Sequence, residues 1–88
     1  MALYSIQYSD DSLKELKQIP KTQVRRIISK IELLSENPFP SGIKKLKGKL
    51  DLWRIRVGDY RVIYSVEKNI LLIEIIRIRH RKDVYDNL

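Results

Sequence analysis

The chain has no cysteine, which excludes disulfides, thiol nucleophiles and cysteine metal sites and fits a reducing cytosol. Histidine occurs once, at position 80, and the carboxylates are scattered, so no metal constellation can be drawn. A Ser-His-Asp arrangement cannot be argued from one histidine either. Asp10 and Asp11 stand together without a His or Glu beside them and read as the acidic start of a helix. The glycines at 42, 48 and 58 lie far apart, so there is no Gly-rich phosphate loop. No apolar run exceeds residues 70–73, far short of a membrane span. The stretch Met1-Ala2-Leu3-Tyr4-Ser5 lacks the basic lead and apolar run of a signal peptide. Acids are the minority: 11 Asp and Glu against 18 Lys and Arg, a net charge of +7. Such an excess points to an acidic partner, either nucleic acid or an acidic protein.

What is present is compact. The 88 residues, 43% of them apolar, make one domain over 1–88 with a modest core. The organising stretch is 52–64, where apolar and basic residues alternate, break at Gly58-Asp59 and alternate again. Alternation at period two signals half-buried strands, and a Gly-led two-residue break signals a tight hairpin. The register then sets Val57 opposite Tyr60, Arg56 opposite Arg61 and Arg54 opposite Ile63. Trp53, Ile55, Val57, Tyr60, Val62 and Tyr64 share the core face, and the arginines share the other. Like charges opposite one another in a sheet cost on the order of 0.2–1 kcal/mol. Either the long side chains splay into water, or the cluster awaits an anion such as a phosphate, which guanidinium forks bind well.

Before this hairpin, 3–8 reads as a strand. Ser9 to Ser12 offer N-caps for a short helix with Leu13, Leu16 and Ile19 as its apolar stripe. Pro20 breaks the chain, and 22–36 forms a second helix on Val24, Ile27, Ile28, Ile31 and Leu34. The two make an antiparallel pair covering one sheet face. Asn37-Pro38-Phe39-Pro40-Ser41-Gly42 is loop. Residues 43–50 carry Lys44, Lys45, Lys47 and Lys49, with Ile43, Leu46 and Leu50 expected to hold the segment to the core. From 44 to 56 the net charge is +5, most of the chain's excess. Residues 70–79 have Ile and Leu at both parities, which suggests a central strand whose register is open. A three-residue turn before it puts Ile75, Arg77 and Arg79 on the face of Arg61; a two-residue turn puts Glu74, Ile76 and Ile78 there. The tail from His80 onwards is expected to be one docked turn.

A basic face together with Tyr85 and His80 suits metal-free RNA cleavage by attack of the 2′-hydroxyl on its own phosphodiester. Cations stabilise the phosphorane, at about 2.7–4 kcal/mol per well-placed donor. Tyr85 either docks the tail or, with its phenolate stabilised by arginines, serves as base. His80 has the better intrinsic pKa, but a lone histidine at a strand end is commonly structural.

The segments Trp53-Arg54-Ile55-Arg56-Val57-Gly58-Asp59-Tyr60-Arg61-Val62-Ile63-Tyr64 and Arg77-Ile78-Arg79-His80-Arg81-Lys82-Asp83-Val84-Tyr85, with Lys45-Leu46-Lys47-Gly48 before them, resemble the RelE/ParE superfamily of bacterial and archaeal toxins. The likeness runs the full length of the chain. It implies an α+β fold in which an N-terminal strand and a helical hairpin pack on a mainly antiparallel sheet with a basic face. RelE-type members are ribosome-dependent endoribonucleases that cut mRNA in the A site, whereas ParE-type members inhibit gyrase and are not nucleases. The RelE-type set is matched here. Arg54 and Arg56 stand where the family has lysines, which keeps the charge but removes any lysine proton transfer. Arg61 matches the arginine of a Tyr-Arg pair, Arg79 the arginine proposed as general acid, Tyr85 the tail tyrosine proposed as base, and Arg81 a further basic position.

The resemblance therefore implies a cytoplasmic toxin that needs no cofactor or metal and has no membrane role. Its expected partners are mRNA on the ribosome, ribosomal RNA gripped by Lys44, Lys45, Lys47, Lys49 and Arg81, and a cognate acidic antitoxin. The alternatives are a gyrase inhibitor of ParE type and an inactive, antitoxin-bound regulatory remnant. The His-Arg-Lys-Asp-Val-Tyr ending occurs in both toxin types and does not separate them.

Overall fold

The computed structural model describes residues 3–48 and 50–80. Its elements are β1 (Ser5–Tyr8), α1 (Asp10–Lys17), α2 (Lys21–Leu34), β2 (Lys44–Lys45), β3 (Leu52–Val57), β4 (Tyr60–Glu67) and β5 (Leu72–His80). The strands form one sheet in the order β1-β5-β4-β3-β2, with β1 parallel to β5 and the other pairs antiparallel. This is the expected α+β architecture. It also supplies what periodicity could not: the first strand lies at the edge beside the last.

The short α1 starts where local chemistry dictates. Ser9 caps it by accepting from the Ser12 N–H at 3.0 Å, and Asp10 and Asp11 occupy the first turn, where negative charge suits the helix dipole. Its inward stripe differs from the expected one. Ser12 is fully buried and Leu16 and Ile19 pack on the core, whereas Leu13 is 45% exposed. The stripe runs at i, i+4 and i+7 from a serine, which apolar patterning passes over. In α2 the same spacing puts Ile27, Ile31 and Leu34 inside. They meet Ile55, Val57, Val62, Tyr64, Ile73, Ile75 and Ile78 from the sheet. Leu50, expected to hold the lysine-rich segment to the core, is instead 69% exposed, while Ile43 does pack there.

Between α2 and β2 the loop is fastened from below. The buried Tyr64 hydroxyl donates to the Pro38 carbonyl at 2.7 Å. Phe39 sets its edge against Trp53 with ring centroids 5.1 Å apart. Tyr64→Phe should therefore cost about 1–3 kcal/mol by leaving a buried carbonyl unpaired, read as a lower midpoint in urea. Burial also pushes the Tyr64 phenol up to about 12. Its raised value means the fold favours the neutral ring. That contribution is complete below the free phenol's pKa of about 10 and is lost as pH rises through the folded value. The phenylalanine variant should lack this part of the alkaline slope.

The hairpin has the expected register, with Val57 opposite Tyr60, Arg56 opposite Arg61 and Arg54 opposite Ile63. Gly58 has φ +60° while Asp59 does not share the positive φ, the pattern of a two-residue II′ turn. The link from β4 to β5 is neither of the expected short turns. A 3₁₀ turn over Lys68–Ile70 is followed by Leu71 in the left-handed region at φ 51°. Ser65 then pairs with Glu74, as the two-residue parity predicts. A bulge at Ile63/Tyr64 shifts the ladder, and Ile63 pairs with Arg77 and Arg61 with Arg79, as the three-residue parity predicts. Each reading holds for one end of the strand. Ile75, placed by the second reading on the arginine face, is instead opposite Tyr64 in the core.

Candidate phosphate-binding site

Because Ile55, Val57, Val62 and Ile78 are drawn under the helices, their alternating neighbours are displayed on the opposite face. One cross-strand row reads Lys44, Arg54, Ile63, Arg77; the next reads Arg56, Arg61, Arg79. Opposed residues in adjacent strands have Cβ atoms about 4.5–5.5 Å apart, so arginines from three strands stand side by side on one face. The bulge in β5 makes this possible, since an unbroken ladder would turn Arg77 and Arg79 away from Arg61.

Arg54 stands between Lys44 and Ile63 in the first row, near Arg56 and Arg61 of the second. It is only partly exposed, and its Nε is buried with no hydrogen-bond partner among the described residues. Burial, then the charges of Arg56 and Arg61, lower its pKa from the ordinary arginine value. A cation with a buried N–H lacking a partner and two like charges beside it is disfavoured, and an oxyanion placed there relieves both effects.

The other residues singled out in the sequence are distributed as follows. Lys44 is exposed beside Arg54. Lys45 pairs opposite Trp53 and so has the other parity. Its ammonium lies 5.7 Å from the Trp53 ring centroid and 3.2 Å from Asp51. Lys47 is exposed in the following loop. His80 pairs opposite Tyr60, with the two rings edge to face at 5.2 Å, on the side away from Arg79. Lys49, Arg81 and Tyr85 lie outside the described residues. Sequence reasoning missed Glu15 of α1. Its Oε2 accepts from Arg77 Nε at 3.1 Å and Nη2 at 3.0 Å, and lies 3.8 Å from Arg79 Nε. Nothing in the local pattern marks this residue, because its role exists only once α1 lies along β5.

A family model described as the ParE toxin of the type II toxin–antitoxin system parDE matches residues 6–85. The chain belongs to the RelE/ParE toxin family. It is 33% identical over 87 residues to the RelE1 protein of Methanocaldococcus jannaschii, covering 96% of this chain and 97% of that one. Among solved structures it is similar to a chain of the archaeal RelE–RelB complex from Pyrococcus horikoshii. That match has a TM-score of 0.80 and 36% identity, and covers 90% of this chain and 96% of that one. The RelB–RelE antitoxin–toxin complex from Methanococcus jannaschii also matches, with a TM-score of 0.73 and 31% identity over 93% of this chain and 98% of that one. In this RelE/ParE toxin the arginines stand on one face of the sheet and the helices cover the other.

Proposed function

We propose that this toxin is a ribosome-dependent endoribonuclease that cuts mRNA in the A site and so stops translation in the cytoplasm. The observation that carries the reading is the partly exposed Arg54 beside Arg56 and Arg61, its Nε buried with no partner among the described residues. Arg54, Arg56 and Arg61 hold the scissile phosphate and neutralise the charge that builds on the phosphorane. The 2′-oxygen attacks phosphorus as its proton passes to the Tyr85 phenolate, which the neighbouring arginines stabilise. The bond to the 5′-oxygen breaks, leaving a 2′,3′-cyclic phosphate, and Arg79 hydrogen-bonds the departing oxygen while it takes its proton from water. Arginine stays protonated and suits this cationic role. The mechanism calls on no metal or cofactor. Lys44, Lys45, Lys47, Lys49 and Arg81 grip ribosomal RNA. An acidic antitoxin segment covers the basic face, a partnership supported by the RelE–RelB complexes among the structural relatives.

The test is to add the purified chain to programmed ribosomes and map the mRNA ends. Breaks in the A-site codon are expected, with Arg61→Ala slower by about 10²–10³-fold. No cleavage by the wild type, or equal cleavage by Arg61→Ala, refutes the proposal. The name of the matching family model favours a second reading, a gyrase-binding toxin without nuclease activity. Only that reading predicts inhibition in a DNA supercoiling assay.

A further inference from the structure

The edge of β5 changes partner part-way along. Its parallel neighbour β1 runs out where Tyr8 pairs with Ile75. Beyond that point side chains from the α1 segment take over. Ser9 Oγ donates to the Ile76 carbonyl at 2.7 Å, and Glu15 Oε1 accepts from the Ile78 N–H at 2.7 Å. The backbone bond orients the carboxylate, so that Oε2 faces the guanidinium of Arg77 and, further off, that of Arg79. The bond from Glu15, set against partial burial, keeps the Arg77 pKa above the ordinary arginine value. Arg77 is thus a bound cation, tied at the sheet edge, although its register sets it beside Ile63 on the phosphate face.

We propose that Glu15 is a positioning residue for the arginine patch: it withdraws Arg77 from the phosphate and fixes the strand end that carries Arg79. The inference rests on the phosphate-binding role proposed above and adds a division of labour within it. Ile78 lies between the two arginines, so its tethered N–H limits the backbone on either side of it. With Glu15 in place, the phosphate meets Arg54, Arg56 and Arg61 in one arrangement, with Arg79 held at 3.8 Å from the same carboxylate. Without the negative charge, Arg77 becomes a further mobile cation on the same face and can draw the phosphate toward β5. Gln at this position can still accept from the Ile78 N–H, so Glu15→Gln separates the charge from the backbone tether.

Arginine Nε–H resonances can be followed by NMR while inorganic phosphate is added to the wild type and to Glu15→Gln. In the wild type the signals of Arg54, Arg56 and Arg61 should move and that of Arg77 should not; in Glu15→Gln, Arg77 should join them. In the ribosome assay kcat should fall by about 10–100-fold, the scale of an ångström-sized misplacement. KM for ribosomes should hold, and Glu15→Asp should recover part of the rate. A wild-type Arg77 signal that moves with Arg61 overturns the role given to Glu15 and leaves the phosphate site standing. Unmoved signals at both Arg54 and Arg61 overturn the phosphate site itself. If Glu15→Gln does not fold, the wild-type titration decides alone.

Discussion

Arg54→Met should melt at a higher temperature than the wild type and cut mRNA about 10²–10³-fold more slowly. The two halves have one cause. Among the described residues the Arg54 Nε is buried without a partner, and Arg56 and Arg61 both repel its charge. Leaving such a group unsatisfied costs about 1–3 kcal/mol, more for a charged one. Its lowered pKa shows the direction: the fold disfavours the protonated form. Because arginine stays protonated at working pH, the destabilisation is felt throughout that range. Methionine follows much of the same aliphatic path and has no buried donor, so it should relieve the strain without opening a large void. For a domain of this size each kcal/mol regained raises the melting point by about 4–8 °C. Calorimetry on the folded chain and cleavage on programmed ribosomes are the two measurements. A melting point that falls would mean that Arg54 is satisfied in the free protein, and the patch would then need another explanation.

The same cost explains why the hairpin was legible and much else was not. A sheet selected for stability alone would not oppose Arg56 with Arg61, so the alternation around Gly58 carried register, face and a hint of function together. Beyond the hairpin the signal weakens for definite reasons. Ile and Leu at both parities in β5 hide its bulge, and the bulge decides which face Arg77 and Arg79 share with Arg61. The parallel pairing of β1 with β5 leaves no mark in either segment, since it depends on the path of two intervening helices. Glu15 becomes important only through that pairing. Leu13 and Leu50 lie outside the core because hydrophobicity does not by itself imply burial for single apolar residues at a surface. Lys44 and Lys45 differ by one residue and so lie on opposite faces, a distinction that a count of basic residues cannot make.

The division of faces leads to the other large effect. Since one side of the sheet is given to arginines, nearly all apolar burial is on the helix side, and Ile27, Ile31 and Leu34 of α2 supply its helical half. Ile31 is fully buried there. Ile31→Ala should cost about 2–5 kcal/mol, through lost transfer energy and the cavity left behind. Against a typical total of about 5–15 kcal/mol that is a large share, so partial unfolding near physiological temperature is expected. Chemical denaturation gives the stability, and cleavage per folded molecule at low temperature gives the activity. The second should hardly change, because Ile31 lies across the sheet from the guanidinium groups. For the same reason Ile31→Ala and Arg54→Met should combine additively in stability, within about 0.5 kcal/mol. Strong coupling between them, or a loss of cleavage per folded Ile31→Ala molecule, would show that the core and the basic face are not the separate layers that this sheet implies.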